Sequence, residues 1–140
     1  MWPFRSKRDP DITQQYLQLV DEGRFVEARP LIEEIVAIAP HIPTSWFNLG
    51  ICLAELANHR QAAEAFLKAY DLDPEDGGAL LRACLALAHA NDSAGLLRVF
   101  RTECERDPDM IELFVEEEAF ARFFATPPFQ QLRRQYTTSS

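Results

Sequence analysis

The chain has 140 residues, 47% of them hydrophobic and 26% charged, with 22 acidic against 14 basic side chains. That size suits a single domain with a continuous core and no hidden second one, and a formal net charge of −8 argues against a nucleic-acid binder, which needs a basic face to displace counterions. No apolar run reaches the length of a membrane span or a secretory signal, so the expected setting is soluble and cytoplasmic.

The first eight residues include Trp2, Phe4, Arg5, Lys7 and Arg8, a basic-aromatic arm over residues 1–8. Three readings stay open for it: disorder, packing of Trp2 and Phe4 onto the first helix, or contact with a partner or an anionic membrane. Beyond the arm, Pro40, Pro74 and Pro108 recur at a 34-residue interval, a period that marks stacked helical hairpins. Within each period apolar residues fall three and four apart in two blocks of about a dozen residues, the spacing of amphipathic helices.

In the first period these are Ile12, Tyr16 and Leu19, then Ala28, Ile32 and Ile35. Between the blocks stands Asp21-Glu22-Gly23, where Gly23 can take the left-handed conformation that ends a helix. Pro30 falls near the first turn of a helix beginning about Phe25, where a missing N–H costs little, so a modest kink is expected. The second period turns at Ala57-Asn58-His59 and the third at Ala90-Asn91-Asp92, with Asn91 as the left-handed candidate. Gly50, Ala54, Ala62, Ala65 and Ala69 allow close helix approach, while Trp46, Phe66 and Leu72 are expected to fill the space between hairpins. The third period carries Leu80, Ala83, Cys84, Leu87, Leu96 and Phe100. From Asp107 onward an acidic group, Asp107, Asp109, Glu112, Glu116, Glu117 and Glu118, reads either as a docking patch or as a solvated helix face. Met110, Ile111, Leu113, Phe114, Phe120, Phe123, Phe124, Phe129 and Leu132 make the tail too apolar to be left in water. Pro127 and Pro128 end one tail helix near Phe124 and open another.

The middle period reads Trp46, Leu49, Gly50, Leu53, then Ala62, Phe66, Ala69 and Pro74. It resembles the tetratricopeptide repeat at its signature positions, with Leu53 where an aromatic is usual, and the flanking periods resemble it more loosely. The resemblance implies an all-α solenoid of three helix-turn-helix hairpins wound as a right-handed superhelix, over residues 9–42, 43–76 and 77–108. A helical cap over 109–135 follows, its Phe120-to-Leu132 stretch similar to tails of many bacterial members, and a disordered tail over 136–140 ends the chain. Such a tail covers the open edge of the last hairpin, since terminal repeats need capping, or alternatively folds back across the binding groove.

Chemistry of catalysis is sparse. His41, His59 and His89 are isolated, and no phosphate loop or nucleophile elbow is present. Cys52, Cys84 and Cys104 form no Cys-x-x-Cys pair, so neither a zinc site nor a dithiol is indicated, and they read as buried packing thiols. The expectation is a protein that is not an enzyme, with no cofactor and no metal.

Function then falls to a surface. In tetratricopeptide folds the first helices of successive hairpins line a concave groove, and the helical phase places there Thr13, Leu17 and Val20, then Phe47, Asn48, Ile51 and Glu55, then Leu81, Arg82, Leu85 and His89. Leu17, Phe47, Ile51, Leu81 and Leu85 are surplus to the core, which points to an apolar peptide or amphipathic helix of a protein partner as ligand. Some members clamp a C-terminal carboxylate with lysines, asparagines and an arginine; Asn48 and Arg82 match two of those positions, but Thr13, Leu17 and Gly78 stand at the others. Arg82 is the one cation among the apolar groove residues, either binding a carboxylate bidentately or pairing with Glu55. The alternatives to a general adaptor are a chaperone for hydrophobic secreted proteins of the type III secretion class and a homodimeric scaffold.

Overall fold

A computed structural model describes residues 11–137, and among them every regular element is helical. The arm at 1–8 and the last residues, 138–140, lie outside the described residues. Three hairpins come first: α1 (Ile12–Asp21) with α2 (Phe25–Ile38), α3 (Pro43–Glu55) with α4 (His59–Leu72), and α5 (Gly77–His89) with α6 (Ser93–Arg106). The tail holds α7 (Met110–Glu116), a 3₁₀ turn (Glu118–Phe120), α8 (Ala121–Phe124) and α9 (Pro127–Thr137). Tyr136 and Thr137 thus belong to α9, where a disordered tail was expected to begin. Contacts divide the chain between Ala83 and Cys84 into two compact units.

One turn design serves all three hairpins. Gly23, Ala57 and Asn91, again at the 34-residue interval, adopt positive φ of 72°, 61° and 55°. The N–H after each reaches back five residues, Arg24 to the Leu19 carbonyl at 2.8 Å, Asn58 to Leu53 at 2.8 Å and Asp92 to Leu87 at 2.9 Å. This is the Schellman closure, which satisfies carbonyls that a helix end otherwise leaves orphaned. Gly23 and Asn91 suit it by type; Ala57 does not, and its Cβ meets the following carbonyl at a cost of about 1–2 kcal/mol.

In the first unit α1 packs on α2, α2 on α3, and α3 on α4. Tyr16, Ala28, Ile32 and Cys52 form a buried cluster, flanked by Leu19, Val20, Leu31, Leu49 and others. The α3–α4 pair is close because Gly50 faces Phe66: a Cβ built on Gly50 would stand 2.7 Å from two carbons of that ring. Ala62, Ala65 and Ala69 are likewise buried. Trp46 donates its indole N–H to the Pro40 carbonyl at 2.7 Å, tying α3 to the loop before it. Pro30 sits within α2 without interrupting it, on the exposed side beside Val26. Leu72 departs from expectation: as the last residue of α4 it is 36% exposed instead of filling a gap between hairpins.

In the second unit Phe100 of α6 is the centre, fully buried. Phe114 of α7 stacks on it at 4.0 Å, Phe120 meets it edge-on at 5.1 Å, and Phe129 of α9 at 5.9 Å. Edge-to-face and offset contacts of this kind stabilise beyond the area they bury. Arg122 lies over Phe123 and donates to the Ala88 carbonyl at the end of α5. The tail therefore caps the third hairpin, with its aromatic side chains committed to α6. The acidic residues Asp107, Asp109, Glu112, Glu116 and Glu118 are all exposed.

Candidate functional site

The spacing of α3 divides its side chains between two faces. Gly50, Cys52 and Leu53 are buried, whereas Phe47, Asn48 and Ile51 are half-buried and Glu55 is exposed. On α1, Tyr16 is buried at 3% exposure, leaving Leu17, one residue on, at 52%. At the start of α5, Ala79 and Leu80 are buried and Leu81 stands at 42%. Thr13 and Arg82 are exposed.

Two contacts connect these helices within the first unit. Tyr16 donates its hydroxyl to the Asn48 carbonyl at 3.1 Å, joining α1 to α3. Burial pushes the Tyr16 phenol up to about 12, so the hydroxyl keeps the proton it donates. The Arg82 guanidinium lies 5.4 Å from the centre of the Phe47 ring, joining α3 to α5, and Phe47 meets Phe66 edge-on, also at 5.4 Å. A cation held over a ring face gains about 0.5–1 kcal/mol where exposed. The ordered contact of Arg82 is aromatic, and among the described residues no carboxylate, Glu55 included, forms an ion pair with it.

The carboxylate clamp is not assembled. Thr13 and Leu17 offer no cation, and the Gly78 N–H is taken by Asp76 at 3.0 Å. Val20 is half-buried and packs against the cluster around Tyr16 and Ile32. Leu85 and His89 belong to the second unit, Leu85 half-buried and His89 exposed. Phe47 further lines a cleft of about 160 Å³ with Pro43, Thr44, Asp73 and Asp76, a feature with no signal in the repeat pattern since Asp73 and Asp76 sit in a loop. Val26 and Ile38 are exposed at 73% and 68%, apolar positions that the helical phase did not flag, and Leu113, expected to be buried with the apolar tail, is 60% exposed.

The cysteines are all free and buried. Burial pushes the Cys84 thiol up to about 12 and Cys104 to about 11, and raises Cys52, whose thiol donates to the Phe25 carbonyl at 3.4 Å. Such thiols stay protonated and poorly nucleophilic. Among the described residues no three His, Cys, Asp or Glu side chains gather as a metal site, and no helix is long and apolar enough to cross a membrane.

The hairpin α3–α4, with its signature residues in the places just described, falls inside a match to the family model for the tetratricopeptide repeat, over residues 43–76. The chain carries a tetratricopeptide repeat. The hairpins before and after it in sequence repeat its turn design, and the all-helical pairing of consecutive helices is that of a tetratricopeptide solenoid. Repeats of this type support a protein–protein interaction module with a protein partner, and the family is typically non-catalytic. No curated protein matches the chain.

Proposed function

We propose that this tetratricopeptide chain is a non-catalytic adaptor that receives an apolar peptide or amphipathic helix on the face made by α1, α3 and the start of α5. The observation that carries the reading is the exposure of Leu17 and Leu81, 52% and 42%, on either side of half-buried Phe47 and Ile51 while other residues fill the core. Apolar side chains left open next to one another favour a covering partner, and a helix presenting residues at i, i+3, i+4 and i+7 matches such a surface. Arg82, already stacked on Phe47, adds one cation to the rim and orients a partner carbonyl or carboxylate.

The test is capture from native lysate with the intact chain and with a Leu17→Glu, Leu81→Glu variant of equal helical content and equal mass in solution. Both positions are open enough to accept a charge without disturbing the core. A protein retained by the intact chain and lost by the variant supports the reading; identical captures would remove this face from consideration. A change of mass on substitution would instead favour self-association.

A further inference from the structure

We propose that the cleft lined by Pro43, Thr44, Phe47, Asp73 and Asp76 receives one lysine side chain of the bound peptide or helix. The inference rests on the reading of the α1, α3 and α5 face as the binding surface, and it adds a charge requirement to an apolar ligand. Phe47 joins the two regions, since it belongs to the apolar stripe and also walls the cleft. Size selects the kind of occupant. The cleft encloses about 160 Å³, below the roughly 300–1,000 Å³ of small-molecule sites and several times the roughly 30 Å³ that a water takes. One side chain of a larger ligand fills such a space.

Charge selects which side chain. The stretch from Asp71 to Leu81 holds Asp71, Asp73, Glu75 and Asp76 and no basic residue. Asp76 Oδ1 accepts from the Gly78 N–H at 3.0 Å and the Ala79 N–H at 3.3 Å, which fixes that carboxylate at the start of α5. Asp73 forms no ion pair among the described residues. Acidic pairs are common on a chain of net charge −8; this pair differs in sharing its cleft with an aromatic ring that already carries a cation. The Arg82 guanidinium lies 5.4 Å from the centre of Phe47, so the ring is an attractive surface for positive charge in this setting. Asp73 and Asp76 outnumber that single guanidinium, and an incoming ammonium neutralises the excess. Lysine suits the cleft better than arginine. Its compact ammonium has three donors to divide between two separate carboxylates, and its apolar stem lies along Pro43 and Phe47, whereas a guanidinium commits its planar fork to one carboxylate. The same aspartates repel an anionic side chain.

The experiment titrates Nα-acetyl-lysine amide into the isotope-labelled full-length chain up to millimolar concentrations, with the neutral norleucine amide and the arginine amide as comparators, and follows backbone amide shifts by NMR. The lysine probe moves the amides of Thr44, Phe47, Asp73 and Asp76, and the norleucine probe binds there about fivefold more weakly or worse. An Asp73→Asn, Asp76→Asn variant, in which asparagine can still cap α5, weakens lysine binding about fivefold or more; Asp73→Asn alone is the reporter if the pair alters helical content. Arg82→Ala strengthens lysine binding about twofold, because the competing cation leaves the ring. Lysine shifts absent from the cleft, equal binding of norleucine, tighter binding of arginine, or indifference to the asparagine substitutions overturns the proposal. Capture of a lysate partner that depends on Leu17 and Leu81 while no lysine probe binds the cleft would leave the adaptor reading standing and this inference refuted. Probe binding with capture indifferent to Leu17 and Leu81 would remove the face, and with it the cleft as a peptide subsite.

Discussion

Replacing Gly50 with alanine tests whether α3 and α4 are held at contact distance by the absence of one side chain. The new Cβ would stand 2.7 Å from Cδ1 and Cε1 of Phe66 and 2.9 Å from Cγ, closer than real Cβ contacts. The ring has nowhere to withdraw: Phe66 is 2% exposed, Ala62, Ala63 and Ala69 around it are buried, and Phe47 abuts it at 5.4 Å. Overpacking of this kind costs about 1–3 kcal/mol. Alanine regains about 1 kcal/mol over glycine in a helix interior, so the expected net loss is about 1–2 kcal/mol at the severe end of these contacts. Urea unfolding followed by circular dichroism measures it, and a cycle with Phe66→Leu isolates the cause. Phe66→Leu destabilises by itself, but in its presence Gly50→Ala costs at least about 1 kcal/mol less, since the ring it strikes is gone. Strict additivity, or a Gly50→Ala chain more stable than the parent, would refute the close-packing argument.

Ala57→Gly is expected to stabilise the chain by about 0.5–1 kcal/mol, because Ala57 holds φ at 61° where glycine is unstrained; a lower urea midpoint would contradict this. Tyr16 carries a pKa raised from 10.0 to about 12, so the folded state binds the proton more tightly than the unfolded one. Its stabilisation is complete below pH 10 and is lost as pH climbs from 10 toward 12. Tyr16→Phe should therefore flatten the alkaline fall in stability while costing about 1 kcal/mol at neutral pH for the lost hydrogen bond, and an unchanged alkaline slope would count against it. Phe100→Ala removes the ring on which Phe114, Phe120 and Phe129 converge, and a loss of about 3–5 kcal/mol is expected. Limited proteolysis should then cut within α7 to α9 first, and undiminished protection of that segment would show that the cap does not depend on Phe100.

Part of the candidate face was legible in the residues. Leu17, Ile51 and Leu81 announced themselves as apolar positions left over after the core was filled, because a 3.6-residue period assigns faces reliably in the middle of a helix. Val20, near the end of α1, is half-buried against the cluster of Tyr16, Ala28, Ile32 and Cys52. Leu72, expected to fill a gap between hairpins, is exposed at the end of α4. Of the contacts open to Arg82 within the chain, the pair with Glu55 does not form among the described residues, and the guanidinium lies on Phe47 instead. Nothing local signals that choice, since the two residues meet only when successive hairpins stack.

The sequence by itself determined the hairpin count, the helix pairing and the sites of the turns, because proline spacing, apolar period and small residues act locally and repeat in every copy. It also foretold the aromatic cap, since that much apolar surface must be buried somewhere. Only the tertiary structure decided that Ala57 takes a left-handed turn against its preference, that Gly50 lies flat against Phe66, and that Arg82 rests on an aromatic ring. The last two depend on distances between helices that meet only through packing, whereas the Ala57 turn is closed locally by the Asn58 N–H on the Leu53 carbonyl. Such distances follow from the joint packing of many side chains, which no single residue encodes.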